Sequence, residues 1–356
     1  MSGGSAAAGQ AAAFRFVALG DSLTAGIGDP APGGGWRGWA ALLADALVVV
    51  DARAEPRGRG AVAGHTARGE GAASGPVTAV EAPAVWGSLD VPGGPADSEW
   101  RRADRGVAGV EFVNLARSGA LATEMAEAQL ATARRSRPRL ASVVVGGNDT
   151  LRAAFDIRRV AEALDLTMRG LSEDGALLLT ACLPDPGRML GLPRPLAAPL
   201  TRRMRALNTV VHVLARRYGA VHVHLAEHAW AADPAARTVD RLHPSELGHR
   251  LLAREFHTEL GRRGVPLGPA PSITLDGPRP TLAASTWWLA TRGSRWVADR
   301  CRDLLPDLVR QAALESGHHL RGTAHLLDTR TRVATRGALT LTQSTPTPAL
   351  DAGDTR

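Results

Sequence analysis

The 356-residue chain contains no lysine; its 42 basic residues are all arginine. Against 35 acidic residues this gives a net charge of +7, which would ordinarily raise nucleic acid or an anionic surface as a partner. The arginines are scattered rather than gathered in a block, among abundant alanine, glycine and proline. That composition fits the codon bias of a GC-rich genome, and no nucleic-acid partner is expected. Cysteine is nearly absent. Cys182 and Cys301 lie far apart, so neither a disulfide framework nor a zinc spacing can be built from them. Aromatic residues supply only 4% of the chain. No run reaches the roughly 18 apolar residues of a membrane span. The opening MSGGSAAAGQAAA has no basic n-region and no adequate apolar h-region. A cytoplasmic location with reduced thiols is the expectation.

What is present is enough apolar residue, 44%, for a sizeable core. Residues 1–13 read as a disordered leader. A strand at about Phe14–Leu19 stops abruptly at Gly20-Asp21-Ser22. A helix follows from near Trp36, with Trp36, Trp39, Leu43 and Leu47 on one face. A further β-rich piece is expected at Leu47–Asp51. Residues 52–108, crowded with Gly, Ala, Pro and Arg, show no sustained period and read as a flexible insertion. Their RGRGAVAG lacks the preceding strand and the helix start of a dinucleotide site.

Order resumes with strands predicted at Val110–Leu115, Ala141–Val145, Ala176–Cys182 and Ala220–Leu225. Helical patterns alternate with them: Leu121/Met125/Ala128, Ile157/Val160/Leu164/Leu171, Leu200/Met204/Leu207/Val211/Leu214, and a last helix running to about Arg263. Such alternation predicts an α/β fold over 14–263, with five parallel strands in flavodoxin-like order and helices on both faces. A Pro-rich linker and an amphipathic extension fill 264–320. Residues 321–356, rich in Thr, Arg, Pro and Asp, read as a disordered tail.

Chemically useful groups fall at the strand ends. Ser22 follows the first strand, Gly119 the second and Asn148 the third; Asp240 and His243 precede the last helix. In a parallel sheet these loops share one edge, where open α/β sheets keep their ligand sites. Ser22 reads as a nucleophile, a weak one that needs an adjacent base.

GDSLTAG at 20–26, the glycine of LARSGA at 115–120, GGND at 146–149 and DRLH at 240–243 resemble, in order, the four blocks of the SGNH (GDSL) hydrolase family. The resemblance covers about 14–263, interrupted by the insertion. It implies a three-layer α/β/α fold and esterase-type acyl transfer, without cofactor or metal. It also implies roles: Ser22, His243 and Asp240 as catalytic triad, and Ser22, Gly119 and Asn148 as oxyanion donors. The absence of a G-x-S-x-G elbow argues against an ordinary α/β-hydrolase. Pro244 suits the first position of the helix after His243.

Plainer readings stand beside these. Ser22 and Asn148 are also good helix caps, Gly119 a turn glycine, and Asp240 a loop acid, with Asp233 or Glu246 orienting the histidine instead. Asp21 and Asp149 read as structural. His222, His224 and His228 read as core or edge histidines, since no Cys or carboxylate completes an obvious metal site. The extension, with Trp287, Trp288, Leu289, Trp296, Val297, Leu304, Leu305 and Leu308 among arginines, is similar to that of some actinobacterial family members. It reads as packing back on the domain, with contact to an anionic membrane surface as the alternative. The expected partner is a small-molecule ester. Acyl transfer to an alcohol and a catalytically silent binding protein are the rival readings. Acyl length, natural substrate and oligomeric state stay open, and the shortage of large apolar residues near the motifs gives no sign of a long-chain acyl tunnel.

Overall fold

Phe16, Val17, Ala18 and Leu19 are all fully buried, and a strand apolar on both faces belongs in the interior of a sheet. That strand is β1 (Phe14–Gly20). The computed structural model describes residues 14–47, 101–102, 110–276 and 294–343, with the backbone alone at 101–102 and 294–305. Beside β1 stand β2 (Arg101–Arg102), β3 (Val110–Asn114), β4 (Leu140–Val144), β5 (Leu177–Ala181) and β6 (Val221–Val223). The order across the sheet is β2-β3-β1-β4-β5-β6. Every neighbouring pair from β3 to β6 is parallel, so the five parallel strands have the flavodoxin-like order expected.

One edge departs from expectation. Arg101–Arg102, inside the stretch read as a flexible insertion, pairs antiparallel with β3, Arg101 opposite Phe112. The exposed edge of β3 offers unpaired backbone groups, and two residues suffice to take them up. The leader at 1–13, the remainder of 52–108 and the β-rich piece beyond Leu47 lie outside the described residues. Leu47 itself makes an isolated bridge to Leu267.

The helices are α1 (Ser22–Ala25), α2 (Gly38–Ala44), α3 (Ala122–Glu124), α4 (Leu130–Arg135), α5 (Gly147–Thr150), α6 (Ile157–Glu173), α7 (Pro186–Met189), α8 (Arg194–Arg217) and α9 (Glu246–Arg262). A π-helical turn, Met125–Gln129, joins α3 to α4. α6 buries Ile157, Val160, Leu164 and Leu171, the face its spacing predicts, and Asp156 caps it by accepting from Arg158 N–H. Trp39 of α2 stacks on Phe256 of α9 with ring centroids 4.5 Å apart. Trp36 precedes that helix and bridges to Pro30. Pro244 is not the first residue of α9. Ser245 intervenes as N-cap, its side chain accepting from Gly248 N–H.

Two further helices, α10 (Ser294–Leu320) and α11 (Ala324–Gln343), end the described chain. α10 lies on α8: Arg203 Nη2 meets Asp307 Oδ2 at 2.8 Å, and Leu308 is buried with Leu151 and Leu200. Arg202 also pairs with Glu315. α11 corrects the reading of 321–356 as a disordered tail, since residues 324–343 are helical. It packs on α6 and α8, with Thr335, Ala338 and Thr342 buried. Threonine normally disfavours a helix interior because its hydroxyl competes for backbone. Here Thr329, Thr331, Thr335 and Thr340 donate to carbonyls four residues back on their own helix, at 2.8–3.0 Å. Trp287 and Trp288 and the side chain of Trp296 lie outside the described residues, as do 344–356. Among the described residues no helix is long and apolar enough to cross a membrane.

Candidate active site

β1 ends on Gly20, where a Cβ would stand 2.3 Å from Val144 O; no side chain fits so close a strand. The buried Gln129 clamps this end of the strand. It accepts from Gly20 N–H and donates to Gly20 O, each at 2.9 Å. Asp21 then caps α1, accepting from Leu23 N–H at 3.1 Å. Ser22 therefore begins a helix at the carboxyl edge of the sheet, beside the point where strand order reverses.

The loop Thr238–His243 folds back on itself. Thr238 N–H donates to His243 O at 2.9 Å, and Arg241 takes φ +61° to close the turn. Asp240 is its hub. Oδ1 accepts from Thr238 Oγ1 at 2.6 Å, Leu242 N–H at 2.8 Å and His243 N–H at 3.0 Å. Oδ2 lies 2.6 Å from His243 Nδ1, and His243 Nε2 lies 2.8 Å from Ser22 Oγ. Burial alone would raise the Asp240 carboxyl. The bond and charge of His243 prevail and, with the other donors, hold it at about 2. An ionised carboxylate only accepts, so the proton sits on Nδ1. Nε2 is then the acceptor for the serine O–H.

Neighbouring contacts fix that loop against α1. A Cβ on Gly28, at φ +106°, would lie 1.9 Å from Pro244 O, so only glycine allows the two segments to touch. Buried Asp29 takes Arg37 at 2.9 Å, and Arg37 reaches Glu246 at 3.3 Å. His249 Nδ1 accepts from Trp39 N–H at 3.2 Å while Nε2–H donates to Ile27 O at 2.9 Å. Burial lowers that imidazole to about 4, keeping it neutral in this bridge.

Gly119 is third in the turn Arg117–Ala120, closed by Ala120 N–H to Arg117 O at 3.1 Å, and has φ +83°. That position needs positive φ, hence glycine. Two bonds tie this turn to the next strand end. Asn148 Nδ2 donates to Ala120 O at 3.2 Å, and Asp149 accepts from Ala122 N–H through both oxygens, at 3.1 and 3.3 Å. The backbone N–H groups of Ser22 and Gly119 make no hydrogen bond among the described residues. Asp21 and Asp149 serve backbone, as read from the sequence. Burial raises their carboxyls to about 7 and about 6.

Ser22, Asn148 and His243 line one cleft with about 110 Å³ of interior space. Asp240 stands behind His243, and Gly119 stands outside the lining. The cleft walls are apolar: Leu151, Leu183, Met189, Met204, Leu225, Trp230 and Leu242. The sequence gives little sign of this wall, because only Leu151 and Leu242 lie in or beside a motif, and the rest come from α7, α8 and loops remote from them. Asp233 caps a short turn and Glu246 pairs with arginines, so neither orients His243. Gln129, Thr238 and His249 were not singled out. The one signal for Gln129 is a polar residue four positions after buried Met125, on a face otherwise apolar.

The model of the GDSL-like lipase/acylhydrolase family matches residues 84–251. That span holds Gly119, Asn148, Asp240 and His243 and begins beyond Ser22. No curated protein matches the chain. Among solved structures, a lipase/acylhydrolase of Enterococcus faecalis is similar at 16% identity and TM-score 0.44, covering 73% of this chain and 100% of that one. An acetylxylan esterase of Geobacillus stearothermophilus is similar at 19% identity and TM-score 0.41, covering 70% and 95%. A psychrotrophic esterase of Pseudoalteromonas sp. is similar at 14% identity and TM-score 0.42, covering 70% and 97%.

Proposed function

We propose that this chain is a carboxylic ester hydrolase of the GDSL-like lipase/acylhydrolase family, whose model matches residues 84–251, and that it works through an acyl-enzyme on Ser22. One observation carries the reading, the continuous line Ser22 Oγ to His243 Nε2 at 2.8 Å and His243 Nδ1 to Asp240 Oδ2 at 2.6 Å. Ser22 Oγ attacks the ester carbonyl carbon while His243 Nε2 takes the hydroxyl proton. Asp240 holds the imidazolium through Nδ1–H. The tetrahedral oxyanion receives the N–H groups of Ser22 and Gly119 and the Asn148 amide. His243 then returns its proton to the leaving alcohol, and the acyl group stays on Ser22. Water repeats the sequence, giving up a proton to His243 and releasing the carboxylic acid and the free serine.

The apolar wall supports an ester with a hydrocarbon acyl or alcohol part rather than one presenting only hydroxyls. The test is a p-nitrophenyl ester series from acetate to laurate. The reading expects kcat/KM to rise from acetate to medium chains and to vanish in Ser22→Ala. Asn148→Ala should keep the fold and lose about 10²–10³ in kcat. Full turnover in Ser22→Ala, or in Asn148→Ala, contradicts the reading.

A further inference from the structure

On the edge of the sheet, away from the cleft serine, four side chains with metal-binding chemistry converge. The β5–β6 register pairs Thr180 with His222 and Ala181 with Val223. Cys182 N–H continues the pairing by donating to Val223 O at 3.2 Å. Side chains alternate along a strand, so Thr180 and Cys182 share the face that carries His222 and His224. α8 packs against these strands and adds His212. One ligand atom from each of Cys182, His212, His222 and His224 lies within 4.8 Å of all the others.

The histidines are not ordinary satisfied core residues. Nε2 of His212 and Nε2 of His222 are both buried without a hydrogen-bond partner. Orphaned buried polar atoms are uncommon because each forfeits its hydration. The other ring nitrogen of His222, Nδ1, sits 2.9 Å from Thr180 Oγ1. With Nδ1–H donating to that hydroxyl, Nε2 turns its lone pair inward, as metal-bound histidines do. The rings stand close together, His222 at 83° to both His212 and His224 with centroids 4.7 and 4.8 Å apart.

We propose that Cys182, His212, His222 and His224 form a four-ligand, tetrahedral site for Zn²⁺. Three imidazoles and a thiolate suit zinc, whereas Mg²⁺ and Ca²⁺ need oxygen ligands that this cluster lacks. Zinc bonds of about 2.0–2.3 Å set ligand atoms roughly 3.3–3.8 Å apart, so the cluster must draw in by about 1 Å. His224, with 55% of its side chain exposed, is the ligand free to swing. It opens on a groove lined by Glu227, Glu255 and Glu259, whose carboxylates favour the approach of a cation. Four protein ligands leave no open position, so the ion is structural. It pins the ends of β5 and β6, and the next residues, Leu183 and Leu225, line the cleft.

The test uses the full chain, stripped with a chelator under reducing conditions and titrated with Co²⁺, then Zn²⁺. One Co²⁺ per chain should bind, with the intense visible absorption of a tetrahedral ion and a thiolate charge-transfer band, and Zn²⁺ should displace it. Cys182→Ser should lose that band. His224→Ala, a change at an exposed position that leaves folding intact, should weaken Zn²⁺ by about 10–100-fold. Zn²⁺ should raise Tm by several degrees in the unmutated chain and not in His224→Ala. A pale six-coordinate spectrum, or Zn²⁺ affinity unchanged in both variants, overturns the site.

Discussion

Gly28→Ala isolates the contact that aligns the histidine loop with the serine. A Cβ at Gly28 would lie 1.9 Å from Pro244 O, whereas real Cβ contacts are essentially never under 3.0 Å; the deficit is 3.0 − 1.9 = 1.1 Å. The neighbour is a backbone carbonyl, so the chain must move rather than a flexible side chain. Pro244 is bonded directly to His243, whose Nε2 is 2.8 Å from Ser22 Oγ. A misplacement of about 1 Å in a reacting geometry costs on the order of 10² in rate. The φ of +106° adds backbone strain of about 1–2 kcal/mol for any L-residue. Gly34→Ala is the matched control, since Gly34 has φ +91° with nothing within 4 Å of its added Cβ. The assay is kcat/KM on one chromogenic ester together with urea unfolding of both variants. Gly34→Ala should lose stability and keep activity, while Gly28→Ala should lose stability and about 10² in kcat/KM. Full activity in Gly28→Ala, with a stability loss no larger than the control's, refutes the reasoning.

Three other variants follow from the same geometry. Asp240→Asn should fold normally and lose about 10⁴ in kcat: the amide oxygen takes the three donors on Oδ1, its NH2 then donates to His243 Nδ1, and the ring proton is left on Nε2, where it cannot accept from Ser22; steady-state kinetics measures it. Asp21 has a folded pKa of about 7 against 3.8 unfolded. Its contribution to stability is therefore full below about pH 4 and is lost as pH rises through 7. Asparagine caps a helix as well as aspartate, so Asp21→Asn should match the unmutated chain at pH 4 and exceed it, on the order of a few kcal/mol, at pH 8; urea titrations at both pH values check this. Gln129→Leu strands the buried N–H of Gly20, whose C=O keeps Arg117 N–H at 3.2 Å; at about 1–3 kcal/mol for one stranded group, unfolding free energy should fall by roughly that amount.

The sequence made the parallel sheet legible because each strand is a short apolar run and each following helix carries one apolar face, as β1 and α6 illustrate. The places of Ser22 and Asn148 were legible because each follows a strand, where a polar residue interrupts an apolar run, whereas Asp240 and His243 lie on the loop before α9 and were legible only through the DRLH block. The clamp of Gln129 on Gly20 and the bridge of His249 between Trp39 and Ile27 were not. Their partners lie 109 and more than 200 residues away, and nothing local marks a side chain that serves another segment's backbone. The Cys182 cluster was missed for the same reason. His222 and His224 were noticed together, but the cysteine and His212 arrive through strand register and helix packing. α11 was misread because threonine usually signals loop, and its helix depends on contacts with α6 and α8 that composition does not reveal.

The central claim is that Ser22 is an activated nucleophile, and a fluorophosphonate probe tests it most directly. The probe should label the folded chain at neutral pH once per molecule, with the adduct mapped by peptide mass spectrometry to Ser22, and should leave Ser22→Ala unlabelled. Labelling that persists in Ser22→Ala, or a native chain that stays unreactive, would contradict it.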